Sequence, residues 1–213
     1  MTAKASPGIT LFDYGVGNLH SISKALELGG AKVRVASMVE DVLEAKAIVF
    51  PGVGDFGAVM NSIGEGRTAL RKLLLDGVPA LGVCIGFQVL FDTSEEADGS
   101  GLGFFRGAVE RFKGVRVPHM GWNSVELTAA AAKDPVLKGI PDGSHFYYAN
   151  SYAPAPEGAD GTKLGMTDYG RRFPAVMRKV NVYGTQFHPE KSGPVGLKLI
   201  ANFVRFAAKE GIR

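Results

Sequence analysis

An α/β fold is predicted for this chain: a single domain over residues 1–213, with a mixed, mostly parallel central sheet, helices on both faces and antiparallel additions in the second half. Three observations predict it. In the first half, short β-branched runs alternate with helical patterns, which implies right-handed crossovers and a sheet buried on both faces. In the second half, the helical periodicity gives way to short segments separated by turns. Apolar residues make up 46% of the chain against 21% charged, enough to bury one substantial core.

The elements follow in order. "GITLFDYG" reads as the first strand, and Asn18 is placed to cap the helix "LHSISKALELGG", which stops at Gly29 and Gly30. "AKVRVAS" is the second strand and "AKAIVFPGVG" the third, ended by Pro51. A helical stretch from Phe56 to Asp76 is interrupted at "SIGEG"; "VPALGVC" is the fourth strand and "GFQVLFDTSEE" the helix after it. "GFFRGAVERF", "GWNSVELT", "SHFYYANSYA", "KLGMTDYG", "RFPAVMRKVN" and "VYGTQFHPE" then read as short, mostly antiparallel strands. "TAAAAKDP" reads as a surface helix or loop, and an amphipathic helix from Pro194 to Lys209 closes the pattern.

Composition narrows the function. The formal charge is +3 and no long Lys/Arg run appears, which argues against a dedicated nucleic-acid binder. One cysteine cannot form an internal disulfide, so a stapled secreted scaffold is not expected. "MTAKASPGITLFDYG" has no apolar signal core, and no stretch approaches the roughly 18 apolar residues of a membrane span. The expectation is a cytoplasmic protein that does not engage membranes. "GVGNLH" is no dinucleotide fingerprint, because His20 stands where the third glycine belongs.

The single cysteine lies in Gly82-Val83-Cys84-Ile85-Gly86, at the predicted end of a strand and start of a helix. A sharp strand-to-helix turn strains its apex, and flanking glycines remove the Cβ clashes that would forbid it. That geometry lifts a nucleophile to the carboxyl edge of a sheet and aims helix N–H groups at its sulfur, favouring thiolate. A small buried hydrophobe is the other reading of the same pentapeptide. A thiol nucleophile needs a base, and the base an orienter. Of the four histidines, only His188 sits in "QFHPEKS" with a carboxylate, Glu190, at i+2. On extended backbone the two side chains share a face, so Glu190 reaches one ring nitrogen while the other faces the thiol. Oxyanion donors are expected from the Ile85 N–H and from the glycine-rich loop "VFPGVGDFG", at Gly52 or Val53.

"VFPGVGDFG", "GVCIGFQVLF", "SEE", "VPHMGWN" and "QFHPEKSG", in that order, resemble the class I triad glutamine amidotransferases, which have a flavodoxin-like fold. More narrowly, they resemble the glutaminase subunits of imidazole glycerol phosphate synthase, from "DYGVGNLHSI" to "GLKLIANF". The resemblance implies that Cys84 attacks the glutamine amide, that His188 shuttles protons and that Glu190 orients it. It implies that Gly52, Gln88, Glu96, Ser151 and Tyr152 hold glutamine, with Glu96 reading the α-amino group, and that Val53 turns its N–H into the oxyanion hole by a peptide flip. It implies no cofactor and no metal. It also implies a TIM-barrel cyclase partner that receives the ammonia internally and makes imidazole glycerol phosphate and aminoimidazole carboxamide ribotide. Asn18, Pro118, Met120, Trp122 and Lys191 match positions at or near that interface. The chain departs from the family pattern at Asn150, where histidine is usual. A glutaminase subunit of another amidotransferase, such as anthranilate synthase, is separated from this reading by the nitrogen acceptor. A cysteine peptidase on a related fold is separated by a free-glutamine assay. A non-catalytic binding module on the same fold is opposed by the intact Cys84, His188 and Glu190.

Overall fold

The computed structural model describes residues 6–15, 19–158 and 160–211. The first half supplies β1 (Gly8–Phe12), α1 (His20–Leu28), β2 (Lys32–Ala36), α2 (Val39–Leu43), β3 (Ile48–Phe50), α3 (Phe56–Ile63), α4 (Arg67–Leu75), β4 (Ala80–Val83) and α5 (Ile85–Gln88). The second half supplies β5 (Thr93–Ser94), β6 (Ala97–Ser100), β7 (Gly107–Arg111), β8 (His119–Leu127), β9 (Ser144–Asn150), β10 (Tyr152–Pro156), β11 (Thr162–Asp168), β12 (Arg172–Lys179), β13 (Val182–Thr185) and α6 (Gly193–Glu210).

Nine strands form the main sheet in the order β2-β1-β3-β4-β13-β12-β11-β8-β9. It is parallel from β2 through β13 and antiparallel from β13 to β9. A smaller sheet, β10-β7-β5-β6, stands beside it. The period-2 alternation of the parallel strands feeds two cores, one on each face. Ile9, Leu11, Val49, Leu81 and Val83 pack with α1 and α6, while Phe12, Ile48, Phe50 and Ala80 pack with α3 and α4. β3 and β4 are apolar at every position and fully buried, as two-sided burial requires.

Three elements differ from the sequence expectation. The helix after β4 lasts one turn, not eleven residues, because the carbonyls of Val89, Leu90 and Phe91 accept instead from the N–H groups of residues 102–105. The predicted strand "SHFYYANSYA" breaks at Ser151, so that β9 pairs with β8 in one sheet and β10 with β7 in the other. The last strand stops at Thr185, and Pro189–Lys191 forms a single 3₁₀ turn. The short elements α2, β5 and β6 have no clear sequence signature. α1 starts at His20 with Leu19 at its cap position, and Asn18 lies outside the described residues. Among the described residues, no helix is long and apolar enough to cross a membrane.

His119 opens β8 and is buried, stacked between Tyr148 (centroids 4.7 Å apart) and Tyr169 (3.9 Å). The Asn123 amide oxygen accepts from the Ser124 N–H, so its nitrogen faces His119 Nε2 at 3.3 Å as a donor. The ring proton therefore sits on Nδ1, which is buried and has no hydrogen-bond partner among the described residues. Desolvation lowers the His119 pKa to about 4. The unfolded chain takes up this proton near pH ~6.5 and the folded chain only near 4. Its contribution is thus complete above pH ~6.5 and falls as pH drops toward 4, by up to about 3 kcal/mol. Urea denaturation across that window is expected to show the slope, and His119→Gln to flatten it. Equal slopes in the two proteins would reject this origin.

Candidate active site

β4 ends at Val83, and the chain reverses at Cys84 with φ 48° and ψ −109°, a conformation that residues with a Cβ rarely adopt. Main-chain bonds hold this apex. The Cys84 N–H donates to the Thr185 carbonyl of β13 (2.7 Å), and the Cys84 carbonyl accepts from Phe87 and Gln88 (3.0 Å each). The flanking glycines are required by space. A Cβ on Gly82 would stand 2.5 Å from the Gly86 carbonyl oxygen, and one on Gly86 would stand 2.1 Å from that of Phe50. The thiol, the chain's one cysteine, is buried.

β13 runs parallel to β4 with Thr185 opposite Val83, so the residues just past both strands emerge at one edge of the sheet. His188 is among them. Its N–H donates to the Tyr147 carbonyl of β9 (2.8 Å), and its carbonyl accepts from the Ser192 hydroxyl (2.6 Å). Glu190 Oε1 lies 2.8 Å from His188 Nδ1, with both side chains buried. The route differs from the expected extended one. His188 itself is extended, but Pro189 opens a 3₁₀ turn, and that turn swings the carboxylate onto the ring. Burial opposes a charged imidazole here, yet the charge and hydrogen bond of Cys84, followed by those of Glu190, outweigh it and raise the His188 pKa to about 10.

Gly52 packs against the His188 ring, where a Cβ would come within 2.7 Å of Cε1 and 3.0 Å of Nδ1. Its constraint is space, since its φ lies outside the left-handed region, which Gly54 occupies at +96°. Val53, between them, is partly exposed. Ile85, the first residue of α5, carries an N–H the helix itself cannot use. Glu96 Oε2 accepts from the Phe56 N–H (2.9 Å) at the head of α3, directly after this loop. Burial raises the Glu96 pKa, the Phe56 bond lowers it, and nearby Asp55 raises it again.

Gln88 is buried, and its amide nitrogen donates to the Tyr152 carbonyl (3.0 Å) and to Gln186 Oε1 (2.9 Å). Gln186 Nε2 in turn donates to Cys84 Sγ at 3.6 Å. Ser151 marks the break between β9 and β10, and its carbonyl accepts from Phe112. The structure thus gathers Cys84, His188, Glu190, Gly52, Gln88 and Tyr152 at one edge of the sheet. Ser151 is their chain neighbour, and Glu96 is tied to the loop that follows Gly52. Gln186 and Asn150 received no role from sequence alone. The available signal for Gln186 was its place two residues before His188 on the continuation of a strand.

Of the partner-facing set, Asn18 is outside the described residues. Pro118 and Lys191 are exposed, and Met120 and Trp122 are 67% and 56% exposed on β8. A core role for either large residue is excluded. Trp122 meets Tyr147 of β9 edge-on at 6.1 Å, and the same Tyr147 is bridged to His188 through its backbone.

The family model described as glutamine amidotransferase class-I matches residues 10–206. The chain is 47% identical over 199 residues to the imidazole glycerol phosphate synthase subunit HisH of Methanocaldococcus jannaschii, covering 92% of this chain and 98% of that one. It is 43% identical to the HisH of Halobacterium salinarum, covering 98% of each. Among solved structures, a putative GMP synthase subunit from Thermoplasma acidophilum aligns with a TM-score of 0.75 at 19% identity, over 96% of this chain and 95% of that one. PurLQS from Thermotoga maritima aligns at 0.72, also at 19% identity, over 94% and 99%. These two likenesses speak to the fold, and the closer sequences to the family. The chain belongs to the class-I glutamine amidotransferases and, within them, to the HisH subunits of imidazole glycerol phosphate synthase.

Proposed function

We infer that this protein hydrolyses glutamine to glutamate and ammonia as the glutaminase subunit of an imidazole glycerol phosphate synthase, and hands the ammonia to a cyclase subunit. The observation that carries the chemistry is the buried Cys84 apex at the same sheet edge as a His188 ring held by Glu190 at 2.8 Å. The Cys84 sulfur attacks the side-chain carbonyl carbon of glutamine. The resulting oxyanion is held by the N–H groups of Ile85 and Val53, and His188 gives its proton to the departing ammonia. Water, deprotonated by His188, then opens the Cys84 thioester, so glutamate leaves and the sulfur is regenerated. Gly52, Gln88, Glu96, Ser151 and Tyr152 surround the amino acid, with the Glu96 carboxylate pairing its ammonium.

The partner is a TIM-barrel cyclase that makes imidazole glycerol phosphate and aminoimidazole carboxamide ribotide. Ammonia released to neutral water is mostly protonated and no longer nucleophilic, so direct transfer preserves its reactivity. The exposed Met120–Trp122 face, with Pro118 and Lys191, is the surface for that contact. It is contiguous through Tyr147 with the His188 backbone. Glutamate release measured with and without cyclase and its nucleotide ligand, with Cys84→Ala as blank, tests the reading. Weak activity alone and strong stimulation by liganded cyclase are expected. High activity without a partner would keep the glutaminase but reject the coupling, and silence in both conditions would reject the function.

A further inference from the structure

The buried amides beside Cys84 form a chain of hydrogen bonds whose direction is fixed from one end. A backbone carbonyl can only accept, so the Tyr152 carbonyl obliges Gln88 to present its nitrogen (3.0 Å). The second N–H of that nitrogen points at Gln186, which must answer with its oxygen (2.9 Å). Gln186 is then left with its nitrogen toward Cys84 Sγ (3.6 Å), and the sulfur is required to accept. Asn150 donates to the same Tyr152 carbonyl (2.8 Å) and so braces the anchor. Gln186 is 0% exposed, Gln88 3% and Asn150 5%, so water does not compete for these bonds.

We propose that Gln186 is the donor that positions the Cys84 sulfur and favours its thiolate, and that Gln88 and Asn150 are positioning residues that hold Gln186 in the donating orientation. The proposal rests on Cys84 being the nucleophile. A thiolate accepts hydrogen bonds and donates none, so a chain that ends on an N–H stabilises it over the thiol. The charge of Cys84 in turn favours the charged His188 imidazole.

The test is the pH dependence of Cys84 alkylation by iodoacetamide in the full chain, without glutamine or partner. The chain has one cysteine, so every alkylation event reports on this site. Gln186→Met, of similar length but without a donor, is expected to move the alkylation midpoint up by about one pH unit, making alkylation about tenfold slower below both midpoints. Gln186→Glu, which turns a carboxylate toward the sulfur, is expected to move it further. Asn150→Leu is expected to shift it in the same direction by less. In glutamine hydrolysis, kcat should fall more than KM changes. Profiles that superimpose on wild type for both Gln186 variants would overturn the proposal. If those variants fold poorly, wild-type protein labelled with ¹⁵N at glutamine side chains decides the matter: a Gln186 amide signal that titrates with the thiol supports the contact, and one that ignores it overturns it. A shifted midpoint in a protein without glutaminase activity would instead count against the function alone.

Discussion

His188→Asn is expected to lower glutamine turnover by about 10³- to 10⁴-fold, the upper range for loss of a positioned acid–base group. The ring acts in both halves of the proposed reaction, first as acid toward ammonia and then as base toward water. No neighbour can replace it, because Glu190 reaches only Nδ1 and is itself buried. KM for glutamine should change little, since the groups proposed to hold the amino acid lie on Gly52, Gln88, Glu96, Ser151 and Tyr152. Glu190→Gln keeps the ring in place and loses only the charge that stabilises imidazolium, so its cost should be smaller, about 10- to 100-fold. Steady-state kinetics with liganded cyclase present checks both. A His188→Asn protein at wild-type rate would remove His188 from the mechanism.

Gly86→Ala is expected to be among the most damaging single methyls near the site. The new Cβ would stand 2.1 Å from the Phe50 carbonyl oxygen and 2.6 Å from its carbon. Both are backbone atoms at the end of a fully buried strand, so neither can move cheaply. A loss of about 3 kcal/mol is expected, which for a chain of this size lowers Tm by roughly 6–12 °C. Activity should fall beyond what unfolding explains, because pushing β3 away carries Pro51 and Gly52 with it, and Gly52 packs on the His188 ring. Gly8→Ala is the control: among the described residues, no atom beyond its chain neighbours lies within 4 Å of its Cβ position, and Tm should barely change. Thermal unfolding of the two variants, with activity measured well below Tm, makes the comparison. A Gly86→Ala protein as stable as Gly8→Ala would contradict the packing described.

Much of this architecture was legible in the sequence. The parallel strands announced themselves as short apolar runs because two-sided burial leaves no polar alternation to blur them. Cys84 was legible because glycines bracket it, and His188 because a carboxylate follows within two residues. What stayed hidden was long-range. The helix after Cys84 looks periodic through Glu96, yet its carbonyls are claimed by a segment ten or more residues later. The break at Ser151 is decided by which sheet each flanking strand can join, not by a turn residue. Gln186 looked like one more polar residue beside a motif, and only the packing of Gln88 and Tyr152 gives its amide a direction.

The adjacency of β4 and β13 has a consequence for how the protein is made. Chains emerge from the ribosome amino terminus first, so β4 and its thiol appear long before β13; Gln186 alone lies 102 positions after Cys84. Until then β4 has β3 on one side and an open, wholly apolar edge on the other, the kind of strand that pairs with strangers. A nascent chain therefore carries a cysteine without His188, without Gln186 and without a complete sheet. Closing that seam is at once the step that hides the edge and the step that brings His188 to the thiol, so on the proposed mechanism unfinished or truncated chains are expected to be inert toward glutamine and prone to association for one and the same reason.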